Sequence, residues 1–337
     1  MVRAFPSPSH LVAVLAVSAA IPAFLGCAKV QRPSPRVAMP ENGPPPSIAQ
    51  LWSDPADLAR GDLFYGPGGE ALAPAPRSSF TFVAKDTTGF SPGWDVRDTS
   101  GRVWDVKQGP EAQSEVVASR LLWAAGYHQP PTYYVPEWTL VGGPEPGRQG
   151  PGRFRPEVEG WRKKGTWEWA RNPFVGTSPY RGLVVLMHML SNWDLLDRNT
   201  ALYDVDPQVA GAPTLYIVRD VGAALGKARS LPGQASRNDI DDFETQGFVK
   251  EVDRDGYVVF DDTRWQHHNL YERVLPADVR WAAQRLARLT PRQWRDAFRA
   301  GGYEASVADR FIGKIQEKVR MGTALGDAAV PPAGERR

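Results

Sequence analysis

Five side chains, spread over separate segments, are of the types that handle phosphate and a divalent cation. Lys107 ends the run Val103-Trp-Asp-Val-Lys107, and Glu115 follows eight positions later. Asp194 and Asn199 stand five apart in Asn192-Trp-Asp-Leu-Leu-Asp-Arg-Asn199, and Asp220 opens the triplet Asp220-Val-Gly222. A carboxylate can receive or orient the proton of an attacking hydroxyl. An amide and a second carboxylate can hold Mg²⁺ or Mn²⁺ against phosphate oxygens, and an ammonium can neutralise the phosphates. Phosphoryl transfer depends on positioning and charge neutralisation more than on covalent chemistry, so few residues suffice.

Each of these groups needs an element to place it. Strand alternation puts Val103, Asp105 and Lys107 on one face and Trp104 and Val106 on the other. Pro110 starts a helix through Ala125, which Gly126 closes. On that helix Glu115 shares a face with Ala118 and Leu122, at the edge of the apolar sector, where it can orient a strand lysine. Glu111 reads more simply as a complement to the positive helix end. Ser178-Pro179 are the N-cap and first residue of an apolar helix reaching about Ser191, so the Asn192–Asn199 loop lies at a helix end. Ala201–Tyr203 and Leu215–Arg219 read as short strands, the second delivering Asp220.

The remaining elements follow from the same rules. Ser79–Ala84 and Trp94–Asp98 are β-rich, with Asp98-Thr-Ser-Gly101 as a hairpin turn into the Lys107 strand, and Thr132–Val135 is a further strand. Asp54–Phe64 reads as a short helix, Gly142–Gly152 as a loop or connection, and Asp253–Gly256 as the turn of another hairpin. From Pro276 the pattern is helical, over 276–289, 291–300 and about 304–320. Gly89-Phe-Ser91-Pro-Gly93 matches the G-x-S-x-G hydrolase elbow, but Pro92 lacks the N–H that an oxyanion hole takes from the residue after the nucleophile. The segment suits a loop over phosphates better, with Ser91 and the backbone N–H groups around Gly89 and Gly93 as donors.

In this order the motifs resemble those of the atypical kinase-like families: HipA toxins, CotH spore-coat kinases, secretory-pathway kinases and type II phosphatidylinositol 4-kinases. Asn192, Asp194, Arg198 and Asn199 fall in the HipA-like pattern N-x-D-x-x-x-K-N, with Arg for Lys, and Asp220–Gly226 is similar to D-N-G-x-x-F-G. The resemblance covers roughly residues 79–320. It implies an α+β, two-lobed kinase-like fold, with a β-rich N-lobe carrying one helix and a mainly helical C-lobe. It further implies ATP and Mg²⁺ or Mn²⁺ as cofactors, Asp194 as catalytic carboxylate, Asn199 and Asp220 as metal ligands, Lys107 on phosphate and Glu115 positioning it. The acceptor is not specified, a protein hydroxyl being favoured. G-x-G-x-x-G, H-R before Asp194 and A-P-E are absent, Lys107 and Glu115 are closer than in ordinary protein kinases, and Asp197 competes with Asp194. The alternative is a catalytically inactive kinase-shaped envelope lipoprotein that binds a ligand or partner.

Composition narrows the classes further. Forty Lys and Arg against 38 Asp and Glu leave +2, an even balance with no footprint for nucleic acid. The 32 glycines and 31 prolines among 337 residues make the chain loop-rich without reaching the roughly 25–30% typical of disorder. Five histidines include no H-E-x-x-H, and His188, in the apolar helix, reads as a core residue. The 12 tryptophans could suggest glycan binding, but Trp281 and Trp294 sit in amphipathic helices, where packing accounts for them. The single cysteine excludes intrachain disulfides and cysteine-based zinc sites. Leu11–Leu25 is an apolar run shorter than the roughly 20 residues of a membrane span, and it follows Arg3 and His10 as in a secretory signal. Phe24-Leu-Gly-Cys27 resembles a bacterial lipobox, which implies acylation of Cys27 (palmitate among the acyl chains) and a membrane-anchored envelope location. The expected division is a signal peptide 1–26, a Pro-rich tether 27–50, an extension 51–78, the N-lobe 79–141, a connection or insertion 142–177, the C-lobe 178–321 and a disordered tail 322–337.

Overall fold

The computed structural model describes residues 47–55, 61–86, 93–206, 211–229, 235–261, 270 and 273–326. The apolar N-terminal run, Cys27, Gly89 and Ser91 lie outside these residues, and so does the expected tether except for 47–50, where Ile48–Gln50 form a short 3-10 helix capped by Ser47. Three hairpin-linked strands come first: β1 (Ser79–Asp86), β2 (Gly93–Arg97) and β3 (Val103–Gln108). Gly101, at φ +91°, closes the β2–β3 turn, and Asp98 Oδ1 accepts from the Ser100 and Arg102 amides, as an Asp-Thr-Ser-Gly turn requires. Helix α1 (Glu111–Ala124) follows, then β4 (Tyr133–Val135), β5 (Trp138–Val141), β6 (Gly147–Gln149) and β7 (Gly152–Pro156). They form one seven-stranded sheet in the order β4-β7-β3-β2-β1-β5-β6.

The two faces of this sheet differ sharply. One carries an aromatic core in which Phe80, Trp94, Trp104, Trp138 and Phe154 are all buried, with Phe80 and Phe154 rings 4.9 Å apart. The other carries charge: register places Gly93, Lys107 and Arg153 in one row across β2, β3 and β7, and Asp95, Asp105 and Arg155 in the next. Helix α1 packs against β3, β4 and β7 and also against a C-terminal helix, so it is buried nearly all round. That is why Glu115, expected at the rim of an apolar sector, is 1% exposed.

A second, smaller sheet joins β8 (Arg162–Gly165), β9 (Thr200–Asp204) and β10 (Thr214–Val218) in the order β10-β9-β8. The rest is mainly helical: α2 (Ser178–Met189), α3 (Ile240–Thr245), α4 (Pro276–Ala287), α5 (Pro291–Ala300) and α6 (Ala305–Thr323), with a hairpin of β11 (Val249–Val252) and β12 (Val258–Phe260). Helix α2 packs on α4, α4 on α6, and their buried faces share one large hydrophobic core with the buried side of α1. Trp294 and His188 are core residues, the His188 ring lying 4.2 Å from that of Phe260. Among the described residues, no helix is long and apolar enough to cross a membrane. The architecture is α+β as expected, with a β-rich first half carrying one long helix and a mainly helical second half.

Several local expectations need correction. Gly142–Gly152, read as a loop, contains β6 and the start of β7, and β7 is an interior strand of the first sheet. The five glycines of 142–152 hide the strand pattern, and Arg153 and Arg155 are buried ionic residues rather than the apolar ones alternation looks for. The N-cap of α2 is Thr177, whose hydroxyl accepts from the Tyr180 amide, with Ser178 the first helical residue. Of the helix expected over Asp54–Phe64, residues 54–55 and 61–64 are coil and turn, and 56–60 lie outside the described residues. Helix α6 runs three residues further than expected, into the segment read as tail.

Candidate active site

Strand β3 brings Lys107 to the charged face, and a turn at Gly109 (φ +105°) lets α1 start beneath it. Lys107 Nζ lies 2.5 Å from Glu111 Oε2, 3.1 Å from both Asp220 carboxylate oxygens and 3.6 Å from Glu115 Oε2. Burial works against the ammonium, but Glu115, Asp220 and Glu111 together hold its pKa well above the ordinary lysine value. Glu111 is therefore more than a dipole complement. It is 7% exposed, the closest carboxylate to Lys107, and also pairs with Arg237. The signal for it was the four-residue spacing across the strand–turn–helix corner.

Glu115 belongs to a wider buried network. Its Oε1 accepts from Arg155 Nη2 at 2.5 Å and lies 3.1 Å from Arg153 Nε, the latter a charge contact rather than an aligned hydrogen bond. Asp105 sits 3.1 Å from Arg153, 3.4 Å from Arg155 and 2.5 Å from Arg219. Burial raises the Asp105 carboxyl, yet Arg153, Arg219 and Arg155 outweigh it and hold the pKa far below the usual range. Arg155 also donates to the Arg219 carbonyl at 2.8 Å, which ties the first sheet to the strand end that delivers Asp220. Sequence reading missed all three arginines. The trace of two of them is Arg153-Phe-Arg155, whose buried Phe154 alternates with charge.

The loop after α2 is held from several sides. Asn199 Nδ2 donates to Asp194 Oδ2 at 3.0 Å, and the Asn199 carbonyl accepts from the amides of Arg219 (2.8 Å) and Asp220 (3.0 Å). Asp194 and Asp220 are thus positioned from one residue. Burial pushes the Asp194 carboxyl up, only partly offset by the Asn199 hydrogen bond. For Asp220, burial is outweighed by Lys107, which keeps its carboxyl below the ordinary value. Asp197 accepts from the Trp169 amide at 3.0 Å, so it serves the loop's structure. Gly222 passes so close to α1 that a Cβ there would meet Glu111 Cβ at 2.8 Å, and its carbonyl accepts from Ser114 Oγ at 2.7 Å. At the end of α2, Ser191 has φ +54°, and buried Lys318 from α6 donates to the Met189 carbonyl (3.0 Å) and Ser191 Oγ (3.2 Å). Lys318, also absent from the sequence reading, closes the helix just before Asn192.

The structure therefore gathers Lys107, Glu115 and Asp220 into one cluster and links Asp194 and Asn199 to it. Gly93 lies beside Lys107 in the sheet register, while Gly89 and Ser91 fall outside the described residues. A strand lysine backed by a glutamate of the following helix, facing a carboxylate at a strand end, is the protein-kinase arrangement. No family model and no curated protein sequence matches the chain. Among solved structures the chain is similar to the crystal structure of the Helicobacter pylori proinflammatory kinase CtkA, at 12% identity and a TM-score of 0.41, over 74% of this chain and 98% of that one.

Proposed function

We propose that the chain is a divalent-metal-dependent phosphotransferase that draws on a nucleoside triphosphate, with a protein hydroxyl as the favoured acceptor. The observation that carries this reading is Lys107 Nζ held 3.1 Å from both Asp220 oxygens with Glu115 behind it at 3.6 Å. Among the described residues, no group of three or more His, Cys, Asp or Glu could hold a metal. The donor set fits Mg²⁺ or Mn²⁺ shared with phosphates, since Mg²⁺ usually binds through one or two carboxylates plus substrate oxygens and water. Asp220 would supply the carboxylate and Asn199 its amide oxygen, the Nδ2 side being spent on Asp194. When bound, the metal neutralises charge on the transferring phosphoryl group.

The chain's own residues account for the remaining steps. Lys107 can turn from Asp220 onto a phosphate oxygen while Glu111 and Glu115 keep it charged and oriented. Asp194 accepts the hydroxyl proton of the acceptor, and burial, which raises its pKa, makes it a stronger base. A second reading, a kinase-shaped binding protein without catalysis, draws on the charged cleft wall, where Asp95, Asp105 and Arg155 share one row. Incubating the chain with γ-labelled nucleotide, Mg²⁺ or Mn²⁺ and a mixed protein acceptor separates the two. Transfer lost in both Asp194→Ala and Asp220→Ala supports the phosphotransferase, whereas binding without transfer supports the scaffold. The lipobox-like Phe24–Cys27 supports a further part of the proposal, an envelope location with the membrane reached through lipid on Cys27.

A further inference from the structure

Beside the Lys107 cluster lies a cavity of about 980 Å³, which shares Asp105, Arg155 and Arg219 with the ionic network and reaches Asp95, Glu157 and Tyr203. If phosphates sit at Lys107, the rest of the donor extends along β3 into this space. The next residue on the Lys107 face is Asp105, about 7 Å further along the strand, and its partner in register is Asp95. Asp105 is neutralised by three arginines. Asp95 is not: among the described residues its side chain has no hydrogen-bond or ion-pair partner. Like charges directly opposite one another in a sheet are destabilising, so Asp95, unpartnered and facing Asp105 across the strands, is a group that an incoming donor can satisfy. Burial, then Asp105 and Asp86, push its carboxyl upward, and Arg219 only partly offsets this.

Part of the backbone along the same cavity is already committed. Pro156 has no N–H, and the Glu157 amide is spent on the Val103 carbonyl at 2.9 Å. The Val158 carbonyl accepts from the Trp161 amide at 3.0 Å. Side chains on the lining supply both donors, such as Arg102 and Lys163, and acceptors, and among its carboxylates Asp95 is the one placed opposite Asp105. Adenine brings to a carboxylate one amino donor next to a bare ring nitrogen, whose lone pair would face the second carboxylate oxygen. Guanine brings a ring N–H and an exocyclic amino group side by side, which suits both oxygens of one carboxylate.

We propose that Asp95 reads the base of the phosphate donor and selects guanine over adenine. This rests on the phosphotransferase reading, which places phosphates at Lys107, and it makes Asp95 the specificity-determining residue of the same cleft. A paired contact of this kind gives roughly 5–150-fold discrimination. Asp95→Asn keeps the shape, removes the like-charge opposition and turns two acceptors into one donor and one acceptor, the set that pairs with adenine.

The test is calorimetric titration of the purified full-length chain with GTP, ATP and inorganic triphosphate, each with Mg²⁺, for the wild type and Asp95→Asn. The expected result is GTP at least tenfold tighter than ATP in the wild type, and a lost or reversed preference in the variant. Circular dichroism and the unliganded melting temperature, expected to be no lower in the variant, guard against misfolding. Wild-type binding of ATP as tight as GTP, or an unchanged ratio in Asp95→Asn, overturns the assignment and leaves the phosphotransferase standing. Binding of triphosphate with no base preference does the same. Failure of all three ligands to bind overturns both.

Discussion

Neutralising Glu115 should destabilise the chain far more than removing Lys107, although both belong to the same site. The Glu115 side chain is 1% exposed and serves Arg155 and Arg153, each 5% exposed, as well as Lys107. In Glu115→Gln only Asp105 still neutralises the two buried guanidiniums, which it already shares with Arg219. Removing one partner of a buried ionic pair costs about 3–5 kcal/mol. At about 2–4 °C per kcal/mol, the figure for domains of about 150–250 residues, the melting temperature falls by roughly 6–20 °C. Lys107→Met leaves less behind: Glu111 keeps Arg237, Glu115 keeps both arginines, and Asp220 has its side chain 39% exposed. Its loss of melting temperature should be less than half that of Glu115→Gln, although nucleotide-dependent activity disappears. Differential scanning calorimetry of both variants and of Glu115→Gln/Arg155→Met checks this, the double variant recovering part of the loss because the stranded cation is gone. A Glu115→Gln melting temperature within 2 °C of wild type, or a larger drop for Lys107→Met, would refute the network as the link between α1 and the sheet.

Three other outcomes follow from the same geometry. Asp105 has a pKa depressed far below 3.8 by its arginines, so its stabilisation is present above the unfolded carboxylate value and lost as pH falls below it. Asp105→Asn should therefore melt well below wild type at pH 7, with the gap narrowing as pH is lowered past about 4. Thermal melts across that range check it, and a gap independent of pH would count against it. Lys318→Met deprives the Met189 carbonyl and Ser191 hydroxyl of their donor and should cost about 1–3 kcal/mol in urea unfolding. Phosphotransfer in Lys318→Met should fall more than nucleotide binding does, because the loop carrying Asp194 is loosened rather than the phosphate site. Cys27→Ser should abolish recovery of the chain with membranes and any acyl-modified N-terminal peptide in mass spectra of the envelope-expressed protein, whereas an unchanged distribution would remove the lipoprotein proposal.

Strand alternation around Lys107, the hairpin turn at Asp98–Gly101 and the proline and glycine limits of α1 were legible because each is set by a local rule. So was the α2 helix that precedes Asn192, to within one residue at its N-cap and two at its end. Glu111, Arg153, Arg155 and Lys318 were not. Their roles arise from burial of charge against distant partners, and a buried arginine looks like a solvated one in the sequence. Strand β7 was missed for the same reason, since its cleft-facing residues are arginines where alternation expects either core or solvent. The candidate site was visible as residue types in chain order. Its ionic frame required the sheet register.

The central claim is that Lys107 and Asp220 meet in order to share a phosphate and a metal. Titrating nucleoside triphosphate into the wild type and Asp220→Ala, with and without Mg²⁺ or Mn²⁺, tests this most directly. The account predicts metal-dependent binding in the wild type that Asp220→Ala loses while its circular dichroism spectrum stays unchanged. Binding that is indifferent to both the metal and Asp220, or no nucleotide binding to a folded wild type, would contradict it.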